Sequence, residues 1–316
     1  MPSRSRPVPE RGVGGTSRSA ARARLWESFT RWMFIAPAGA YLLLFFGYPV
    51  VKNVVMSFQR YTTTTFYTGA APFVGLRNYA TILSSDLFSQ TLVTTVLFTA
   101  GSITGQFVLG LALALFFQRC FPLSGVLRSL LLLPWLLPLV VSATTWKWML
   151  DTDTGVVNDA LTRLHLLSSG VPWLTGTSEA LVSVILVNIW VGVPFNTAIL
   201  YGGLRDIPTH LYEAAKLDGA GPVALFRYVT WPLLRPVVNV VLVLGVVYTL
   251  KVLDIILVVT GGGPADATET LATQSYDLSF QQFDFGRGAA MSNVLIVISL
   301  VFALVYLRAH RRAQHT

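Results

Sequence analysis

The chain has 316 residues, of which 53% are hydrophobic and only 12% charged. That charge fraction is about half that of an ordinary soluble domain, which argues against a soluble globular chain and for a membrane protein. The net charge of +8 would suit a nucleic-acid binder, but its distribution excludes that reading, and a single cysteine, Cys120, leaves no internal disulfide.

Residues 1–30 read as an Arg-rich tail, expected to be disordered, carrying Arg4, Arg6, Arg11, Arg18, Arg22 and Arg24, with Arg31 directly after it. Only Trp26 and Phe29 lie among these charges. A basic tail directly before an apolar run is an orientation signal on the cytoplasmic side. Residues 31–316 read as one all-α transmembrane domain of six helices. Apolar segments long enough to cross a bilayer, which takes about 20 helical residues, lie at Trp32–Phe58, Thr91–Phe117, Leu127–Leu150, Ala180–Leu204, Val237–Thr260 and Ala289–Leu307. Pro37 and Pro49 are expected to kink the first. It is too long for a signal-peptide core.

Six spans put both termini on one side. With that side inside, most of the 23 basic residues fall in the tail, in Gln118–Val126 with its flanking Arg128, in the loop at 205–236 and in the C-terminus. The positive-inside rule therefore places both ends in the cytoplasm. The outer segments Arg60–Gln90, Asp151–Glu179 and Gly261–Gly288 are too short for separate domains and are expected to form small caps. The turn Gly261-Gly262-Gly263-Pro264 opens the last of these.

The loop between the fourth and fifth spans carries the most informative pattern, Leu211-Tyr212-Glu213-Ala214-Ala215-Lys216-Leu217-Asp218-Gly219-Ala220-Gly221-Pro222. It reads as a short helix, a glycine turn and a second short helix. Pro208 suits the helix start. Ala214 and Ala215 leave a shallow surface that another protein can approach closely. Gly219 and Gly221 permit the reversal, and Pro232 and Pro236 are expected to break the helix at membrane re-entry.

This segment resembles the cytoplasmic coupling motif, the EAA loop, of binding-protein-dependent ABC importer permeases. Glu213, Ala214, Ala215 and Gly219 match that pattern, Val229 takes its apolar place, and Trp231-Pro232 stands where the family has Leu-Pro. The likeness extends to Phe73-Val74-Gly75-Leu76-Arg77-Asn78-Tyr79. It also covers Thr260-Gly261-Gly262-Gly263-Pro264 with Thr268–Tyr276 and Phe285-Gly286, and Asn188–Phe195. These stretches are similar to carbohydrate-uptake permeases, in particular the larger permease of maltose- and glycerol-phosphate-type transporters.

The resemblance implies a type I importer permease in the bacterial plasma (inner) membrane. The chain carries no Gly-x-x-x-x-Gly-Lys-Ser/Thr phosphate loop, so it is expected to be no enzyme and to bind no cofactor or metal. ATP and Mg would sit on a partner ATPase. The implied partners are a second permease, as a heterodimer, two ATPase subunits, an extracytoplasmic solute-binding protein and membrane lipid, with no nucleic acid. The loop at 208–222 would dock on the ATPase through Tyr212, Glu213, Ala214, Ala215, Asp218, Gly219 and Ala220. Asp218 also suits the turn, and Glu213 also suits the N-terminal dipole of its own helix.

Polar side chains inside spans are costly and mark functional sites. The fourth span offers Asn188, Trp190 and Asn196 around Gly192 and Pro194, where a broken helix would expose backbone groups to a polar solute. The fifth offers Tyr248, Thr249, Lys251 and Asp254. The resemblance to the maltose-type permease places Asn188, Gly192, Phe195, Gly245, Tyr248, Thr249 and Val252 on the substrate path. Helix–helix hydrogen bonding is the competing role for these polar groups. Lys251 and Asp254 are spaced to pair on one helix, and Gly101 with Gly105 suits a packing face. The expected cargo is a sugar or related polar solute, the alternative a glycerol phosphate or glycerophosphodiester. An ion-coupled carrier fits less well, because no internal repeat appears and only Asp254 is a candidate buried carboxylate. A membrane enzyme is disfavoured because His165, His210, His310 and His315 all fall in loops or the tail.

Overall fold

The computed structural model describes residues 33, 35–119 and 121–313; the expected tail over 1–30 and Cys120 lie outside them. The described residues up to Val55 and those from Met56 onward fall into two units. The described part of the first holds most of helix α1 (Ile35–Ser57). This helix runs through Pro37 and Pro49. A π-helical turn at Leu43–Gly47 precedes Pro49, whose missing N–H leaves the Phe45 carbonyl without its helical donor.

The second unit is all-helical. Its elements are α2 (Thr63–Thr68), α3 (Arg77–Leu83), α4 (Asp86–Phe117), α5 (Ser124–Leu131), α6 (Leu133–Leu136) and α7 (Leu139–Met149). They continue with α8 (Val156–Arg163), α9 (Thr177–Arg205), α10 (Thr209–Leu217), α11 (Pro222–Leu250), α12 (Asp254–Val259), α13 (Leu271–Tyr276) and α14 (Phe285–Ala313). Among the described residues, α1, α4, α9, α11 and α14 are each long and apolar enough to cross a membrane.

The third expected span, Leu127–Leu150, is not one helix. It is a bent pair, with α5 and α6 on one side and α7 on the other, turned by 95°. The corner falls at Leu137, which is extended (φ −72°, ψ 144°) before Pro138, as the clash of a proline ring with the preceding residue requires. The fifth span also differs from expectation. The helix starts at Pro222 rather than Val237 and passes unbroken through Pro232 and Pro236. A π-helical turn at Phe226–Thr230 ends just ahead of Pro232 and absorbs the altered bonding. The interruption comes later, at Lys251–Leu253, so the stretch expected as one span to Thr260 divides into α11 and α12.

Helix α4 starts cleanly because the Ser85 side chain accepts from the Phe88 N–H at 3.2 Å, a capping bond for one of the unpaired first-turn donors. Its small-residue face lies against α9. A Cβ on Gly101 would meet Ile185 at 3.2 Å, one on Gly105 would meet Ile189 at 2.3 Å, and one on Gly110 would meet the Asn196 Cβ at 2.7 Å. The two backbones approach as closely as glycine allows, the packing device of membrane helices.

The expected caps are fastened by polar hubs, partly buried at Asn78 and Tyr79 and buried at Asn158. Asn78 donates to the Ser57 and Gln59 carbonyls at 2.8 and 2.9 Å. The Tyr79 hydroxyl meets Ser57 and Asn293. Asn158 accepts from the Val171 N–H and the Trp173 indole while donating to the Thr152 and Val171 carbonyls.

Candidate functional site

A cavity of about 490 Å³ lies among α4, α9, α11, α12 and the corner between α6 and α7. Ten of the residues singled out in the sequence line it: Asn188, Gly192, Phe195 and Asn196 from α9, Gly245, Tyr248 and Thr249 from α11, and Lys251, Val252 and Asp254 from the break and the start of α12. Trp190 does not line it. Its ring meets Trp146 at 5.7 Å and packs against the apolar core.

The cavity has an amide floor that the sequence reading missed in part. Gln106, on α4 and buried, donates from Nε2 to the Asn188 carbonyl at 2.9 Å. Its Oε1 faces the Asn196 amide at 3.5 Å, and Asn196 also donates to the Gly192 carbonyl at 2.9 Å. Among the described residues, the Asn188 Nδ2 has no hydrogen-bond partner. A buried donor without an acceptor is costly, and here it belongs to a cavity-lining side chain. Helix α9 stays continuous through Gly192 and Pro194, which corrects the expected mid-span break. Carbonyls in the Asn188–Gly192 turn instead take side-chain amides. The chain does open its backbone at Lys251–Leu253, on the cavity edge.

The walls are aromatic. Trp135 and Phe195 lie 5.8 Å apart and Phe195 meets Tyr248 edge-on at 6.4 Å. The Lys251 ammonium sits 4.7 Å from the Tyr248 ring centroid, so its close contact is a π face and not the Asp254 carboxylate. The two charges belong to different elements, Lys251 at the end of α11 and Asp254 at the start of α12. Amide donors and acceptors beside aromatic faces can hydrogen-bond and stack a polar, ring-shaped solute.

The Glu-Ala-Ala segment forms α10. Gly219 takes φ +82°, and the Ala220 N–H closes back on the Ala215 carbonyl at 2.9 Å, a glycine-ended helix stop. Glu213, Ala214, Asp218 and Gly219 are exposed. So are two apolar side chains that the sequence reading did not single out, Leu217 at 89% and Val223 at 80%. Tyr212 turns inward instead: its hydroxyl meets the buried Thr230 hydroxyl at 3.0 Å. Thr230 ends the π-helical turn of α11, so α10 is tied directly to the helix that carries Gly245, Tyr248 and Thr249.

Between α12 and α13, Glu269 is buried against Gly262, whose φ is +92° and where a Cβ would lie 2.2 Å from the carboxylate. Burial pushes the Glu269 carboxyl up to about 7, helped by the negative charges of Asp277 and Asp266 and opposed by a hydrogen bond with Thr273.

The sequence over residues 106–315 matches the family described as binding-protein-dependent transport system inner membrane component. The trehalose/maltose transport permease MalF of Thermococcus litoralis is 37% identical over 90% of this chain and 95% of its own length. The sulfoquinovosyl glycerol transport permease SmoG of Agrobacterium fabrum is 34% identical over 90% and 94%. The diacetylchitobiose uptake permease DasB of Streptomyces coelicolor is 32% identical over 97% and 94%. In fold, the chain is similar to a chain of a bacterial ABC transporter that imports the acidic polysaccharide alginate (TM-score 0.79, 24% identity, 92% of this chain and 99% of that one). With a family match over most of its length and these relatives along nearly all of it, the chain belongs to the binding-protein-dependent ABC importer permeases, multi-pass inner-membrane transport subunits whose ATP is bound by a separate ATPase.

Proposed function

We propose that this chain forms half of the translocation path for a sugar and receives the ATPase stroke through α10. The cavity floored by Gln106, Asn188 and Asn196 and walled by Trp135, Phe195 and Tyr248 carries the cargo reading. Its floor is uncharged. A neutral hydroxylated ring can exchange water for these amides, whereas burying an ion without a partner costs far more. The named sugars of the relatives MalF and DasB support the same class. Lys251 on the cavity edge supports a second reading, an anionic cargo such as glycerol phosphate. Asp254 beside it favours the neutral solute.

The chain is oriented with both termini in the cytoplasm, on the basic-residue asymmetry. It pairs with a second permease to enclose the path and stands on two ATPase subunits. Exposed Glu213, Ala214 and Leu217 form the docking surface, and a solute-binding protein delivers cargo to the opposite side. In this arrangement, movement of α10 passes through the Tyr212–Thr230 contact to α11 and so to Tyr248 and Thr249 in the cavity wall.

The test is to co-express the chain with its genomic neighbours, purify the complex and follow ATP hydrolysis with binding protein present. Maltose, trehalose, diacetylchitobiose and glycerol 3-phosphate are the panel. Stimulation by a neutral sugar, lost on Asn188→Ala or Tyr248→Ala, supports the path. Stimulation by glycerol 3-phosphate alone favours the second reading. Variants that transport normally sink the path assignment.

A further inference from the structure

A second cavity, of about 390 Å³, opens on another face of α9, between α5, the end of α4 and the last turns of α9. Its one charged lining residue is Arg128, on α5. The Arg128 Nε donates to the Ser124 carbonyl at 3.2 Å, a terminal N–H donates to the Tyr201 hydroxyl, and the guanidinium lies 4.8 Å above the Tyr201 ring. Arg205 approaches the same ring at 6.0 Å. A guanidinium carries five N–H donors, and these contacts use two. Among the described residues, no carboxylate forms an ion pair with Arg128 or Arg205, in contrast to Arg163 with Asp159 and Arg287 with Asp284.

Position and shape make this charge informative. Arg128 stands in the second turn of the bent crossing, and Arg205 ends α9. Both therefore lie at the membrane boundary next to the loop at 205–236. Away from the guanidinium the walls are mostly apolar, with Phe117, Leu131, Leu132 and Pro194, and the lining hydroxyls of Ser129 and Thr197 donate to backbone carbonyls of their own helices. A half-buried cation in a crevice at the membrane boundary suits an anionic headgroup. A free inorganic anion would find one guanidinium and then an apolar wall, whereas a phospholipid supplies a phosphodiester and a chain to fill the crevice. We propose that this crevice binds an anionic glycerophospholipid, with its phosphodiester on the spare Arg128 donors and an acyl chain lying between Phe117 and Leu132.

The test uses the full importer, purified in detergent and stripped of lipid, then titrated with phosphatidylglycerol or phosphatidylcholine. Retained lipid is counted by native mass spectrometry, and the melting temperature is followed alongside. Wild type is expected to hold phosphatidylglycerol about tenfold more tightly than phosphatidylcholine and to melt higher in its presence. Arg128→Gln removes the charge. Gly125→Leu fills the crevice and keeps the Arg128 charge. A Cβ at Gly125 meets nothing within 4 Å, and leucine is the better helix former, so this variant remains informative even if Arg128→Gln fails to fold. Both are expected to lower phosphatidylglycerol retention about tenfold. Equal retention of the two lipids, unchanged retention in Gly125→Leu, or the same stabilisation by inorganic phosphate alone would each overturn the proposal. None of these readouts involves transport, so failure here leaves the path assignment intact, and failure of that assignment leaves this site intact.

Discussion

The Gln106 amide occupies the space that a β-carbon of residue 192 would fill: such an atom would lie 2.3 Å from Gln106 Cδ and 2.4 Å from Nε2. Gly192 is therefore the vacancy into which the cavity floor is built. Gly192→Ala must expel the amide, which loses its bond to the Asn188 carbonyl. Overpacking of this kind costs about 1–3 kcal/mol, and the melting temperature should fall accordingly. Uptake should drop more than stability, because the floor is dismantled. Uptake equal to wild type would show that the floor plays no part in transport.

Gln106→Glu and Gln106→Leu separate charge from shape. Glutamate sets an oxygen where Nε2 now donates to the Asn188 carbonyl, so two acceptors face each other in a buried place. Leucine only removes the bonds, so the Asn188 carbonyl loses a donor and the Asn196 amide an acceptor, at about 1–3 kcal/mol. Glutamate is expected to be the more destabilising in detergent melting at pH 7. The reverse order would mean that this amide is not bonded as described.

Glu269 makes stability depend on pH. Its carboxyl is raised from an ordinary 4.5 to about 7, so between those values the folded chain binds a proton that the unfolded chain releases. Its contribution is fully present below about 4.5 and is lost as pH rises through about 7, a change of up to about 3 kcal/mol. Wild type should melt lower at pH 8 than at pH 5, and Glu269→Gln should flatten that difference. Identical pH profiles for the two proteins would mean that this carboxyl is not desolvated.

Tyr212→Phe deletes one hydroxyl and keeps the ring. The complex should still assemble and hydrolyse ATP, while uptake per ATP falls several-fold because α10 is no longer tied to Thr230. Leu217→Lys should act earlier, weakening ATPase co-purification, since it puts a charge on the exposed apolar side chain of the proposed docking surface. Full uptake per ATP in Tyr212→Phe would place force transmission elsewhere.

Much of this architecture was legible in the sequence, because a bilayer demands long apolar runs and a coupling loop has fixed punctuation. The turn at Gly219 and the extents of α4 and α9, to within about five residues at their ends, followed from such rules. The corner at Leu137 did not, since Pro134 and Pro138 lie in a run as apolar as any span. Pro194 misled in the opposite direction: hydropathy cannot show that neighbouring backbone will be bonded by side-chain amides. Gln106 was missed because it lies among the Thr and Ser residues of a mostly apolar helix, where no local pattern sets it apart. Its role arises only from Gly192, 86 positions later. Trp190 was misplaced because the sequence alone cannot rotate a helix far enough to separate a core face from a cavity face.

The 95° corner between α6 and α7 bears on how this protein is made. Neither arm, Ser124–Leu136 or Leu139–Met149, approaches the about 20 residues that a crossing helix needs. Backbone left open at such a corner is tolerated in a bilayer only when protein or water covers it. During synthesis these arms cannot leave the insertion machinery one after the other as finished spans. They are expected to be retained until α9, which packs on α6, and α12, which packs on α7, have both emerged, so the third crossing is completed only after the fourth and fifth have been made.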